Sequence, residues 1–152
     1  ELASNASMIA SLRSHVCQGR RIYSEGGGSA YLGRSMILPD RRIPGVGILP
    51  FHATLLPNAG SAIPVTRTLA HDSWLGPQGT VVRGYRSQRW ELTPSRDPFE
   101  CPSCFGSLTS DWDFSFRHHA VGSLIHLHLG ALPDVVAAFT GPHRPSLRRP
   151  SA

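Results

Sequence analysis

A length of 152 residues suits one domain of ordinary size and excludes a multidomain machine. Every one of the 15 basic residues is Arg, the net charge is +5, and only 16% of residues are charged against a usual share of about 25%. That balance permits weak attraction to nucleic acid or to an anionic surface, through summed charge, and demands neither. Glycine (15), proline (13) and serine (18) together bring the chain to the edge of the low-complexity range. The chain opens on Glu1 without a Met, the pattern of a fragment or a processed product. An all-Arg, Lys-free profile is also what GC-rich coding yields, in a selected protein or in an unselected reading frame.

In chain order, Leu2, Ala6, Ile9, Leu12 and Val16 step by three and four, which predicts an amphipathic helix over 2–16 that stops near Gly19. Gly26-Gly27-Gly28-Ser29 reads as a flexible linker, because it lacks the Lys-Ser/Thr ending of a phosphate-binding loop. Nine prolines from Pro39 to Pro102 each remove an amide donor and disfavour helix just before them. The segment 38–102 is therefore expected to be largely loop, with extended pieces such as 63–69 confined to edges, and with 80–85 and 88–92 as its best strands. Alternating aromatics in Asp111-Trp112-Asp113-Phe114-Ser115-Phe116-Arg117 predict a strand, 118–123 a turn, and Leu124–Leu129 a second strand with His126 and His128 on one face. Pro133 and Gly141 bracket a short helix, and 142–152 is expected to be a disordered tail.

The expected fold is thus α+β, small and loop-rich: an N-terminal amphipathic helix, an irregular Pro-rich middle, and a C-terminal β-hairpin plus short helix. Residues 1–141 would form one marginal domain, and the composition also suits a chain only partly folded. No run of 18 uncharged apolar residues exists, so no helical membrane span is expected.

Three sites deserve weighing. Arg83, Tyr85, Arg86, Arg89 and Trp90 interleave cations with aromatics, the composition single-strand binders use for phosphate contact and base stacking. Cys101-Pro102-Ser103-Cys104 followed by Gly106 resembles one knuckle of a zinc ribbon. The second Cys-x-x-Cys that the family requires is absent, so the resemblance implies zinc only if His126 and His128 complete a Cys2His2 set with Cys101 and Cys104. The run from Gly122 through His126, His128 and Asp134 to Gly141 is faintly similar to the first metal motif of cupins, but its spacings differ and too few residues follow for a second motif.

No catalytic residues are assigned. His71-Asp72, the one adjacent His-Asp pair, lies in the Pro-rich region without a nucleophile motif. The leading expectation is a basic chain with no assignable activity and no assigned cofactor. The alternatives are a zinc-stabilised β module that binds nucleic acid and, third, a metal-dependent enzyme using His126, His128 and Asp134.

Overall fold

The computed structural model describes residues 2–95, 113–117 and 119–141. Cys101, Cys104 and the 142–152 tail lie outside these described residues, as does the whole 96–112 stretch that leads into the predicted aromatic strand.

A short 3-10 turn at Leu2–Ser4 precedes helix α1 (Ala6–Cys17). The helix starts later than the apolar periodicity implied because Asn5 caps it, its side chain accepting from the Met8 amide at 2.9 Å. Of the predicted stripe, Val16 is buried and Ile9 and Leu12 pack on the interior, whereas Leu2 is exposed. Gly19, at φ +78°, follows the helix end in the left-handed conformation that glycine favours.

Strand β1 (Ile22–Glu25) leads directly into helix α2 (Gly27–Leu32), so the expected glycine linker is a strand-to-helix junction. Then come β2 (Ser35–Ile37), β3 (Arg42–Pro44), β4 (Phe51–Leu55), β5 (Ile63–Thr68), β6 (Val81–Arg86), β7 (Trp90–Pro94), β8 (Phe114–Arg117), β9 (Ala120–Ser123) and β10 (Ile125–Leu127), followed by α3 (Pro133–Thr140). They form three sheets, ordered β1-β9-β8, β10-β6-β5 and β3-β2-β4-β7.

The loop-rich fold expected from the sequence is therefore wrong in its middle and at its C-terminal end. Five strands, β3 to β7, lie between residues 39 and 102. The prolines fit because of where they fall. Pro44 ends edge strand β3, Pro94 ends edge strand β7, and Pro64 lies in edge strand β5, so central pairings keep their donors. The same region supplies much of the interior: Val46, Leu49, Phe51 and Ala53 are fully buried with Ala30 and Ala120, and Leu69, Leu75 and Val82 anchor a second cluster with Val121 and Val135.

The expected C-terminal hairpin also does not form. Phe114–Arg117 pairs antiparallel with β9, through Phe116 opposite Val121, while β10 pairs with β6 in a different sheet. The presumed turn is β9 itself, whose four residues Ala120-Val121-Gly122-Ser123 are all buried. A central strand covered on both faces has no polar alternation to betray it, and its small residues mimic a turn. The strand candidates near 80–85 and 88–92 correspond to β6 and β7, but they join separate sheets.

Between its bracketing residues, α3 carries Pro133 at its start and Gly141 at its cap. It is held by an edge-to-face trio in which Phe139 lies 5.1 Å from Tyr23 and 5.2 Å from Trp74. Arg21 adds a bond from its guanidinium to the Ala138 carbonyl at 2.8 Å and sits over the Trp74 ring. Buried Asp113 receives Arg86 at 2.6 Å on one carboxylate oxygen and Arg67 on the other, tying the β5–β6 sheet to the segment before β8.

Candidate functional site

The junction of β1 and α2 is where the fold brings chemistry together. Glu25 ends β1 and pairs in parallel register with Ser123 of β9, and the Gly26 amide donates to the Ser123 carbonyl at 2.8 Å. Gly26 then turns at φ +51° and ψ −118° into α2. Those angles are close to the roughly +60° and −120° of the first central position of a type II′ turn, which glycine dominates. The elbow is rigid because Ser29, one turn into α2, is fully buried between the two strands. Its hydroxyl accepts from the Ser123 amide at 2.8 Å and lies 2.8 Å from the Ser123 carbonyl and 2.9 Å from the Ser24 carbonyl.

Over this elbow sits the imidazole of His126, from β10. A Cβ placed on Gly26 would lie 3.0 Å from His126 Nε2. On the far side of the ring, Nδ1 lies 3.2 Å from Glu25 Oε2. The other carboxylate oxygen, Oε1, accepts from the Tyr23 hydroxyl at 2.8 Å and from the Leu127 amide at 2.8 Å. Three neighbours thus fix the carboxylate, and the carboxylate fixes the ring. With its Nδ1–H directed to Glu25, a neutral imidazole offers the Nε2 lone pair toward Gly26. Burial first, then the charge and hydrogen bond of Glu25, push the Tyr23 phenol far above its ordinary value, so Tyr23 stays a neutral donor. Trp90 closes a third side: its indole Nε1 lies 3.7 Å from where a Cβ of Gly27 would be.

A sharp strand-to-helix turn with a left-handed residue at its apex, facing a carboxylate-oriented histidine, is the geometry by which acyl-transfer enzymes present a nucleophile to its base. Here the apex residue is Gly26, which has no side chain. The arrangement pairs an imidazole with the carboxylate that orients it, and its apex position carries no atom to attack a carbonyl.

The residues singled out in the sequence are distributed differently from expectation. Arg83 and Tyr85 face outward from β6, Arg86 turns inward to Asp113, Arg89 precedes β7, and Trp90 packs partly against the interior. These five do not share one face. His126 engages Glu25, whereas His128 lies beyond the end of β10 beside Arg83, whose carbonyl receives the His128 amide at 2.9 Å. Among the described residues, no group of three or more His, Cys, Asp or Glu side chains is placed to hold a metal, and Asp134, in the first turn of α3, joins no such group. Cys101 and Cys104, the other half of the expected zinc set, lie outside the described residues. Glu25 and Gly26 were missed because Gly26-Gly27-Gly28 reads as a linker. The available signal was Ile22-Tyr23-Ser24-Glu25, a short extended run ending at the first glycine, with a helix-length segment after it.

The chain matches no protein-family model. It is similar to cobyrinate a,c-diamide synthases from three organisms. It is 36% identical to that of Streptococcus sanguinis (strain SK36) over 85 residues, 56% of this chain and 19% of the relative. For Listeria monocytogenes serotype 4b (strain F2365) the identity is 28% over 142 residues, 84% of this chain and 29% of the relative. For Methanosphaera stadtmanae it is 26% over 148 residues, 92% of this chain and 31% of the relative. The chain thus spans less than a third of the length of these curated relatives.

Proposed function

We propose that this chain is a ligand-binding module built on an acyl-transfer elbow, akin to part of a cobyrinate a,c-diamide synthase, that holds a small carboxamide or carboxylate group between Gly26 and His126 without bonding to it covalently. The observation that carries this reading is Gly26 itself, in the nucleophile conformation, with His126 Nε2 over it and Glu25 behind the ring. The relatives' name supports the ligand class: a diamide synthase acting on cobyrinate is named for forming carboxamides.

Each residue has a definable part. Glu25 holds the Nδ1–H of His126, which keeps the Nε2 lone pair turned to the elbow to accept an amide N–H. Protonated, the same nitrogen donates to a carboxylate. The Trp90 indole N–H, beside Gly27, is a donor for an acyl oxygen. With hydrogen in place of a side chain at Gly26, the apex itself supplies no sulfur or hydroxyl to the acyl carbon, and the bound group leaves unchanged.

Installing the missing atom tests the reading. In Gly26→Cys the new thiol gives its proton to His126 Nε2, the sulfur attacks the carbonyl of 4-nitrophenyl acetate, and 4-nitrophenolate leaves. The expected result is a stoichiometric burst, with the acetyl group mapped to position 26 by peptide mass analysis and lost when His126→Ala is added. The unaltered chain, which retains Cys17, Cys101 and Cys104, is the control. Acylation at position 26 that is no faster than at Cys17, or that ignores His126, overturns the proposal. A thermal melt of the variant shows that it is folded, and binding of acetamide to the unaltered chain, followed at the His126 ring by NMR, gives a readout independent of the substitution.

A further inference from the structure

We infer that the outer face of the β5-β6-β10 sheet, at its Arg83 end, binds single-stranded nucleic acid, with Tyr85 stacking on one base and Arg83 holding the adjoining phosphate. This is independent of the elbow and its ligand. Val81, Arg83 and Tyr85 are exposed on β6, whereas Val82 and Gly84 between them are buried, so the three side chains share the outer face. Thr66 stands directly opposite Arg83 and Thr68 opposite Val81, which adds two exposed hydroxyls from β5.

The two faces of this sheet treat their side chains differently. On the inner face, Arg67 and Arg86 share the buried carboxylate of Asp113. On the outer face, among the described residues, no carboxylate lies within ion-pair distance of Arg83 and no ring packs on Tyr85. Tyr23, Trp74 and Phe139 pack edge to face on one another and Phe114 stacks on Phe116. Tyr85, at 54%, is the most exposed aromatic ring among the described residues.

Charge selects the partner. The three strands of the sheet contain no Asp or Glu. Glu25 stands at the His126 end of the face, engaged by His126, Tyr23 and the Leu127 amide. The other end is therefore positive through Arg83, with His128 adding to it when protonated. There a shallow cavity of about 270 Å³ opens, with Pro64, Thr66, Arg83, Tyr85 and His128 in its lining. Alternate residues of a strand stand roughly 6.7 Å apart, so a base lying on Tyr85 brings its own phosphate to Arg83. The guanidinium grips that phosphate through two N–H groups, and the Thr66 hydroxyl is a further donor. A duplex has no free base face to offer Tyr85, and an acidic peptide would leave the ring without a flat partner.

Fluorescence anisotropy tests this on the intact chain, with a labelled oligothymidylate of about eight nucleotides, a length one small single-strand-binding fold covers. Tyr85→Ala should weaken binding about fivefold or more, the lower end of base–aromatic stacking, and Tyr85→Phe should restore it. Affinity should fall with salt, and Arg83→Gln should flatten the log–log slope by about 0.7, one phosphate contact. Should Tyr85→Ala fail to fold by circular dichroism, the Arg83→Gln slope decides. Binding that ignores both residues overturns the inference. So does a duplex of equal length that binds as tightly, or a polyglutamate peptide that displaces the probe as well as unlabelled oligothymidylate does. Affinity that depends only on Arg144, Arg148 and Arg149, read from their joint replacement by Gln, overturns it as well.

Discussion

Replacing Gly26 by Ala, next to the same replacement at Gly28, asks whether the elbow is the strained apex described above. At Gly26 the backbone lies at φ +51° and ψ −118°, where a side chain costs about 1–3 kcal/mol. The added Cβ would also sit 3.0 Å from His126 Nε2. That ring is about half exposed and can retreat a few tenths of an ångström, so the contact adds little to the backbone cost. Reduced freedom of the unfolded chain returns some tenths of a kcal/mol, which leaves a net loss of about 1–2 kcal/mol. At roughly 2–4 °C per kcal/mol for a chain of this size, the melting temperature should fall by about 2–8 °C. Gly28 is two residues away, inside α2, and its Cβ would meet Ser24 Cβ at an ordinary 3.6 Å. Ala there should stabilise by about 0.5–1 kcal/mol through helix propensity. Calorimetric melts of both variants, with circular dichroism to confirm the fold, decide the matter. A Gly26→Ala chain as stable as the parent, or shifts of the same sign at both positions, would refute the assigned conformation.

Phe51, with none of its surface exposed, tests whether the Pro-rich middle is part of the interior. Phe51→Ala should cost about 3–5 kcal/mol in a urea melt, whereas a residue in an irregular outer segment would cost under about 1. Tyr23 supplies a pH signature. Its folded pKa is raised, so below about pH 10 the phenol is neutral in both states and stability is independent of it. Above that pH the unfolded chain ionises while the folded one does not, and stability falls as pH rises. Urea midpoints from pH 9 to 11 should decline, with a shallower slope in Tyr23→Phe. An unchanged slope would show that Tyr23 is not held as described.

The parts of the fold legible in the sequence are those with a local period or a local stop signal. Ile9, Leu12 and Val16 announce α1, and Pro133 and Gly141 frame α3. What hid the rest is pairing between distant segments. Proline statistics treat Pro44, Pro64 and Pro94 as breakers, yet each costs nothing on an edge, and edge status follows from sheet order and not from neighbours in sequence. β9 is built of Ala, Val, Gly and Ser because β1 and β8 flank it and both its faces are covered, as Gly122 shows, where a Cβ would come 2.4 Å from Leu49 Cδ1. The candidate site was half visible. His126 stands out in its His-x-His pair, but the residue it engages is Glu25, about a hundred residues earlier beside the glycines, and no local spacing links the two.

The parallel pairing of β1 with β9 has a kinetic corollary. Ile22 aligns with Ala120 and Glu25 with Ser123, so the contacts that bring the elbow beneath His126 close a loop of about two thirds of the polypeptide. Closing so wide a loop costs conformational entropy before any burial returns it, and chains dominated by such distant pairings fold slowly. The hairpin of β5 and β6 can form early from neighbouring sequence, whereas Gly26 and His126 meet among the last events of folding. A ribosome releasing this chain would complete the pocket only after β10 had emerged.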